Sequence, residues 1–519
     1  MTTQRDLTTG EGAEQDSISD GTGSGTGDHR ARLGARAARG AMWALLANFT
    51  IRFASIAVTA LLARLLSKED FGVFAVALAV FLVVSSLAEL GMGSAIARSA
   101  REPEDIAPTV ASISILTGGA IAALMAISAP WLAAVLGQPG AAGPIRILSI
   151  CLFLTGIFAV PGAQLVREFK QDKIFLATII GFLVANPLLI VLALHGGGAT
   201  SFAWSRVVGQ LATGVVFFLS TSKRYLPGWR QAVVGPLLRF GLPLSIANLV
   251  NWSLLNADYL LLGRMVDAAQ VGTYMIAFNV GSWSTAILGS ILNSVVVPVF
   301  GRVAENRAEL ARTLVSATQL VALLALAVGT MTMALSRPLV LTVFGAKWGD
   351  SAPVLVVLSI YGMLYAFSLL YTNVLVATGK TLRLLLIQIA WVAVLVPAIV
   401  FGIRHGGLVG VAWAHVITIG MIAVPAYFIS VLRVAGQRPS ALMGTLGRPL
   451  LAAVAASTSA WAIAQLINIP SVALLVGGLA GGIVYLLLAG KLLLGLLPNR
   501  LVPNWIPRGW QPAQNTSAL

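Results

Sequence analysis

The sequence predicts an all-α polytopic membrane protein of about fourteen transmembrane helices. They form two six-helix lobes related by an internal repeat, plus two C-terminal helices. Three observations predict this. The 519 residues are 57% hydrophobic and only 10% charged, where a soluble domain carries roughly 25% charged residues. The apolar residues come in runs of about 20, enough to cross a hydrocarbon core of ~30 Å as helices. The chain also repeats itself at an offset of 200 residues. Lipid cannot satisfy an open backbone, and alternating barrel strands of ~10 residues are not visible.

In order, the apolar runs cover approximately 41–63, 72–90, 110–136, 145–165, 175–194, 202–220, 241–263, 271–298, 314–335, 352–377, 382–403, 408–431, 448–468 and 471–495. They divide as six, six and two. Residues 1–39 read as a disordered tail ending in a basic collar from Arg30 to Arg39, and the first lobe spans 40–221. A basic linker (222–239) carries Lys223, Arg224, Arg230 and Arg239, and its segment Trp229 to Leu238 reads as a short interfacial helix. The second lobe spans 240–434, two extra helices lie in 435–497, and 498–519 is a short Pro-rich tail. No cleavable signal peptide is expected, because the first apolar run is too long for a signal h-region.

The repeat has two registers. At the offset of 200, Ala47-Asn48 falls on Ala247-Asn248, Ala57 on Ala257, Leu61-Leu62-x-Arg64 on Leu261-Leu262-x-Arg264 and Gly72 on Gly272. Further on, His195-Gly-Gly with Ala203-Trp204 echoes His405-Gly-Gly with Ala412-Trp413. Two similar membrane halves indicate a transporter, with substrate handled where the halves meet.

The net charge of +15 does not indicate nucleic acid. With the N-terminus in the cytoplasm and fourteen alternations, 25 of the 34 Lys and Arg residues fall on the cytoplasmic side and seven outside. This positive-inside pattern puts both termini in the cytoplasm and directs the charge at anionic lipid headgroups. Cys151 is the only cysteine, so a disulfide or a cysteine-rich zinc site within the chain is excluded. No cofactor or metal is expected.

Arg64-Leu-Leu-Ser-Lys-Glu-Asp-Phe-Gly-Val-Phe74, Asp258-x-Leu-Leu-Leu-Gly-Arg264, Gly272-Thr-Tyr, Val297-Pro298-Val-Phe, Gly345-x-x-Trp348, Gly379-Lys380 and Gly407-Leu-Val-Gly-Val-Ala-Trp413 stand in order along the chain. In these the sequence resembles the polysaccharide transporter family, the Wzx-type flippases of the multidrug/oligosaccharidyl-lipid/polysaccharide exporter superfamily. The resemblance covers roughly residues 38 to 435. It implies a V-shaped pair of lobes around a central cavity. It also implies alternating-access translocation of an undecaprenyl-diphosphate-linked oligosaccharide to the outer leaflet of a bacterial plasma membrane, without ATP hydrolysis. A polysaccharide polymerase and glycosyltransferases are the implied protein partners.

Against that background, the polar residues inside the spans are the candidate site. Asn48, Arg52, Ser55 and Thr59 share one face of the first helix. A central arginine costs at least ~2.5 kcal/mol to insert, so Arg52 should face protein or water, where guanidinium suits a diphosphate. An Arg tied to helix-end carbonyls or to a nearby acid is the structural alternative. The repeat partner carries Asn248, Asn251 and Asp258; the next helix carries Asn279 and Ser282, whose amide and hydroxyl suit sugars or helix–helix bonds. Asp258 is the candidate for coupling to a proton or sodium gradient, with a structural salt bridge to Arg52 or Arg264 equally compatible. Arg206, His415 and Arg264 are secondary candidates; snorkelling is the simpler account of Arg206, and packing of His415. Pro161, Pro187, Pro243, Pro298, Pro397 and Pro425 punctuate the runs as kinks or hinges.

Three other readings compete. A lipid-linked peptidoglycan-precursor flippase would typically offer several cavity arginines, and a drug or cation antiporter would use acidic groups in a twelve-helix body. A membrane polysaccharide polymerase would need paired carboxylates on a sizeable loop, and the external loops hold none.

Overall fold

The computed structural model describes residues 54–88, 96, 103–283, 285, 289, 297–304 and 306–496. Asn48 and Arg52 lie outside the described residues, as does the side chain of Asn251. Every regular element among the described residues is helical. The first half contains α1 (Ala54–Leu65), α2 (Lys68–Ala88), α3 (Pro103–Val135), α4 (Ala142–Arg167), α5 (Gln171–Leu194) and α6 (Gly198–Ser220). The second begins with α7 (Gln231–Leu255), α8 (Ala257–Met265), α9 (Ala268–Gly281), α10 (Val297–Val303) and α11 (Arg307–Ala334). It continues with α12 (Ser336–Val343), α13 (Ser351–Ala377), α14 (Thr381–Thr418) and α15 (Val424–Ala435). The short α16 (Pro439–Met443) leads to α17 (Gly447–Gln465) and α18 (Pro470–Leu496).

Nine of the described helices are long and apolar enough to cross a membrane, counting Thr381–Ala435 as one. That long stretch is two runs of the sequence joined at Gly407, whose φ of 55° and ψ of −139° fold the chain back. The fold brings Gly410 so close to Gly402 that a Cβ on Gly410 would lie 2.1 Å from the Gly402 carbonyl oxygen. A tight glycine turn also joins α5 to α6, there with positive φ at Gly196 and Gly198. His195 and His405 each set a ring nitrogen on the carbonyl four residues back, at 2.8 and 3.0 Å. The second sequence echo therefore marks a tight glycine turn between helices in each half, with different backbone angles at the matching glycines.

The first echo is also built twice. Ser67 and Asp70 cap α2 reciprocally: the Asp70 amide donates to Ser67 Oγ at 3.1 Å, and the Ser67 amide to Asp70 Oδ2 at 3.0 Å. Asp267, at the matching place, accepts from the Gln270 amide at 2.8 Å and caps α9. Asp70 further accepts from the Ala199 amide at 3.1 Å, tying α2 to the start of α6. The resulting α2 and α9 pack closely against each other, and one buried core runs from Leu62 to Val416 across both halves.

Two elements differ from the sequence reading. Helix α7 begins at Gln231, so most of the segment Trp229 to Leu238 is the start of a longer helix, with Val233 and Leu237 packed on α3. The run 241–263 is broken at Asn256 (φ −120°, ψ 10°), which separates α7 from α8. The extra helices α17 and α18 pack on each other and on α11, with Thr330 Oγ1 donating to Ala453 O at 3.3 Å and the Tyr485 hydroxyl to Leu323 O.

Candidate functional site

Contacts at one end of the bundle join the two halves. Lys68 Nζ meets Asp350 Oδ2 at 2.7 Å, Lys347 Nζ donates to Leu66 O at 2.6 Å and Trp348 Nε1 to Ala63 O at 2.8 Å. Arg64 donates to Thr342 O at 3.0 Å. The reciprocal pairing uses the loop after α3: Gln138 Nε2 donates to Gly263 O and Val266 O, both at 3.1 Å. Thus the turn after α1 meets the turn after α12, and the turn after α3 meets the turn after α8. Trp348 is fully buried, edge-on to Phe71 at 5.1 Å. Burial holds the Lys347 amine below its usual range.

Within the first lobe the described candidate is Arg206. It lies eight residues into α6, ~12 Å of helix rise. One turn before it, buried Phe202 stacks on Phe74 at 4.6 Å; one turn after it, Gln210 bonds to Cys151 O at 3.0 Å. Arg206 is on that same protein-facing stripe, its guanidinium 5.0 Å from the Phe81 ring centroid, and no described carboxylate pairs with it. Its side chain is nonetheless exposed, so it faces open space against α2 rather than reaching for the helix end. The snorkelling account does not fit this position.

The second lobe gathers a different set. Asp258 is 2% exposed, in the first turn of α8 after the break at Asn256. Its carboxylate accepts from the Tyr259 amide at 2.9 Å and from the Tyr274 hydroxyl at 3.0 Å. His415 Nε2 stands 3.7 Å from Asp258 Oδ2, longer than a hydrogen bond. Neither His415 ring nitrogen has a hydrogen-bond partner among the described residues, although the ring is 6% exposed. Arg264, at the far end of α8, is exposed and has no part in this group.

His415 also lines a cavity of about 440 Å³ with Ser282, Tyr361, Tyr365, Gln388 and Trp391. Ser282 was a sequence candidate; its hydroxyl donates to Asn279 O at 2.8 Å. Asn279 is exposed and donates to Met275 O at 2.9 Å, and Asn248 is half-buried on α7. Ser55 is exposed on α1, its carbonyl accepting from Thr59 at 2.8 Å. The aromatic lining escaped the sequence reading. Its signal was the spacing of Tyr361 and Tyr365, one turn apart on one face of an otherwise apolar run.

Residues 61–353 match the polysaccharide biosynthesis protein family. The chain belongs to that family. Among curated relatives it is 23% identical over 400 residues to the lipopolysaccharide biosynthesis protein WzxC of Escherichia coli (strain K12), covering 77% of this chain and 81% of that one. It is 27% identical over 332 residues to the succinoglycan biosynthesis transport protein ExoT of Rhizobium meliloti (strain 1021), covering 61% and 64%. Its fold is that of the lipid II flippase MurJ in an inward closed conformation (TM-score 0.68, 15% identity, 86% of this chain and 98% of that one). It also resembles a multidrug resistance MATE family transporter of the MOP superfamily in an inward-facing conformation (TM-score 0.62, 19% identity, 76% and 98%). Family and fold make this a polysaccharide biosynthesis protein with many membrane-spanning helices, arranged as in those two transporters.

Proposed function

We propose that the protein carries a polyprenyl-diphosphate-linked oligosaccharide from the inner to the outer leaflet of a bacterial plasma membrane by alternating access. The observation that carries this reading is the paired, repeat-related set of contacts closing one end of the two lobes. An exposed ion pair contributes ~0–1 kcal/mol and a hydrogen bond ~0.5–1.5 kcal/mol net. The polar contacts at the closed end therefore contribute only a few kcal/mol, an amount that substrate binding or ion binding can offset.

In this reading both termini are cytoplasmic and the closed end is external. Arg206 supplies a guanidinium for the lipid diphosphate, a role Arg52 would share on the preceding face. The Asp258–His415 pair is the candidate for gradient coupling, and a polymerase and glycosyltransferases are the enzymes that would consume and supply the lipid-linked glycan.

The test is to deplete the protein in cells and label lipid-linked sugars from each side of the membrane. Accumulation in the cytoplasmic leaflet is the expected result. Normal sidedness with failed chain elongation would instead indicate a polymerase and sink the flippase reading.

A further inference from the structure

The cavity in the second lobe has walls from α7, α9, α13 and both arms of α14. Its lining carries no Asp, Glu, Lys or Arg among the described residues. A diphosphate would meet no cation here, and a drug cation no carboxylate, since Asp258 stands behind His415 and Tyr274. What the cavity offers is aromatic face and uncharged hydrogen-bonding groups. Tyr361 and Tyr365 lie with ring centroids 5.7 Å apart, and His415 is 5.0 Å from Tyr361. Trp391 is steadied by its Nε1 at 3.3 Å from Thr418 Oγ1. Ser282 and Gln388 add hydrogen-bonding groups, and the His415 ring forms part of the wall. At about 440 Å³ the volume falls within the ~300–1,000 Å³ of small-molecule sites.

A pyranose ring has this mixed character: a C–H face that covers an aromatic ring, and hydroxyls around its edge. We propose that this cavity binds an uncharged sugar ring, with Trp391 and Tyr361 giving the stacking faces and Gln388 and Ser282 meeting its hydroxyls. Resting on the flippase reading, this divides the substrate between the lobes, the diphosphate on Arg206 and the sugar in the second lobe.

The test uses the full chain in lipid nanodiscs. Diazirine-bearing methyl glucoside, galactoside, mannoside and N-acetylglucosaminide are photolysed and the labelled peptides identified. Label is expected on α13 and α14, displaced by a neutral disaccharide but not by inorganic diphosphate or tetraphenylphosphonium. Trp391→Ala should lower it at least fivefold and Trp391→Phe less, with thermal unfolding as the fold check; Trp461→Ala on α17 should leave it unchanged. Label elsewhere, label competed by the cation, label indifferent to both Trp391 variants, or no label from any of the four sugars overturns the proposal. Label as expected, with normal leaflet sidedness on depletion, would fell the flippase reading alone.

Discussion

Gly72 and Gly272 make one contact twice. A Cβ on Gly72 would lie 1.7 Å from Ala268 O, and a Cβ on Gly272 would lie 2.0 Å from Lys68 O. Residues 68 and 268 are themselves related by the offset of 200, so the repeat exchanges the two contacts. The lobes therefore meet backbone to backbone where α2 and α9 cross, close to the closed end, and small residues are what such an approach requires.

Two effects oppose one another when either glycine becomes alanine. Helix propensity favours alanine over glycine by up to ~1 kcal/mol. The added methyl must displace a carbonyl at a crossing with no room, and overpacking costs ~1–3 kcal/mol. The contact should win: Gly72→Ala and Gly272→Ala each lower thermal stability in detergent. Gly482→Ala, with nothing within 4 Å of its would-be Cβ, should be neutral or stabilising. A stabilised Gly72→Ala would refute the crossing.

The closing contacts are individually weak, so their removal should shift the lobes rather than unfold them. Losing the Lys68–Asp350 pair and the Lys347–Leu66 bond together removes ~1–2 kcal/mol, a several-fold shift in a two-state equilibrium. With Cys151 replaced and Ser282→Cys as reporter, the Lys68→Ala/Lys347→Ala double variant should react several-fold faster with an impermeant maleimide added outside the cell. An unchanged rate would mean these residues do not gate.

Much of the fold is legible in the sequence because lipid makes apolar length and turn chemistry nearly sufficient. Each apolar run contains a helix, and both echoes correspond to repeated structure, the capped entry to α2 and α9 and the glycine turns after His195 and His405. The site is less legible. Whether Arg206 snorkels or faces inward depends on what lies at Phe202 and Gln210, a tertiary fact. Asp258 has partners from α9 and α14, 16 and more than 150 residues away in sequence. The sugar-sized cavity needs four helices at once, and no spacing within one of them encodes it.

Arg206 gives a sharp chemical prediction. A hydrogen bond to a charged group contributes ~1.5–3 kcal/mol, so Arg206→Ala should weaken apparent affinity for lipid-linked substrate by roughly 10- to 100-fold. Arg206→Lys keeps the charge but loses the bidentate fork, and should recover only part of it. Initial transport rates in proteoliposomes, at matched protein insertion, measure both. If Ala and Lys variants transport alike at wild-type levels, the diphosphate contact is elsewhere.

The Asp258–His415 pair is the proposed seat of gradient coupling. The carboxylate is buried, and its described neighbours are a backbone amide, one phenol and one imidazole. Hard cations take several oxygen ligands; this set supplies few, whereas a proton needs only one site and a partner. Asp258→Asn should therefore abolish the acceleration of transport by an imposed proton gradient while leaving a basal rate. His415→Gln replaces the imidazole beside the carboxylate with a neutral amide, and should blunt the gradient response with less effect on the basal rate. The measurement is substrate flux in proteoliposomes under separately imposed proton and sodium gradients. A purely structural pair would show the opposite pattern: both variants would lose stability and basal rate together, and the residual protein would still answer the gradient.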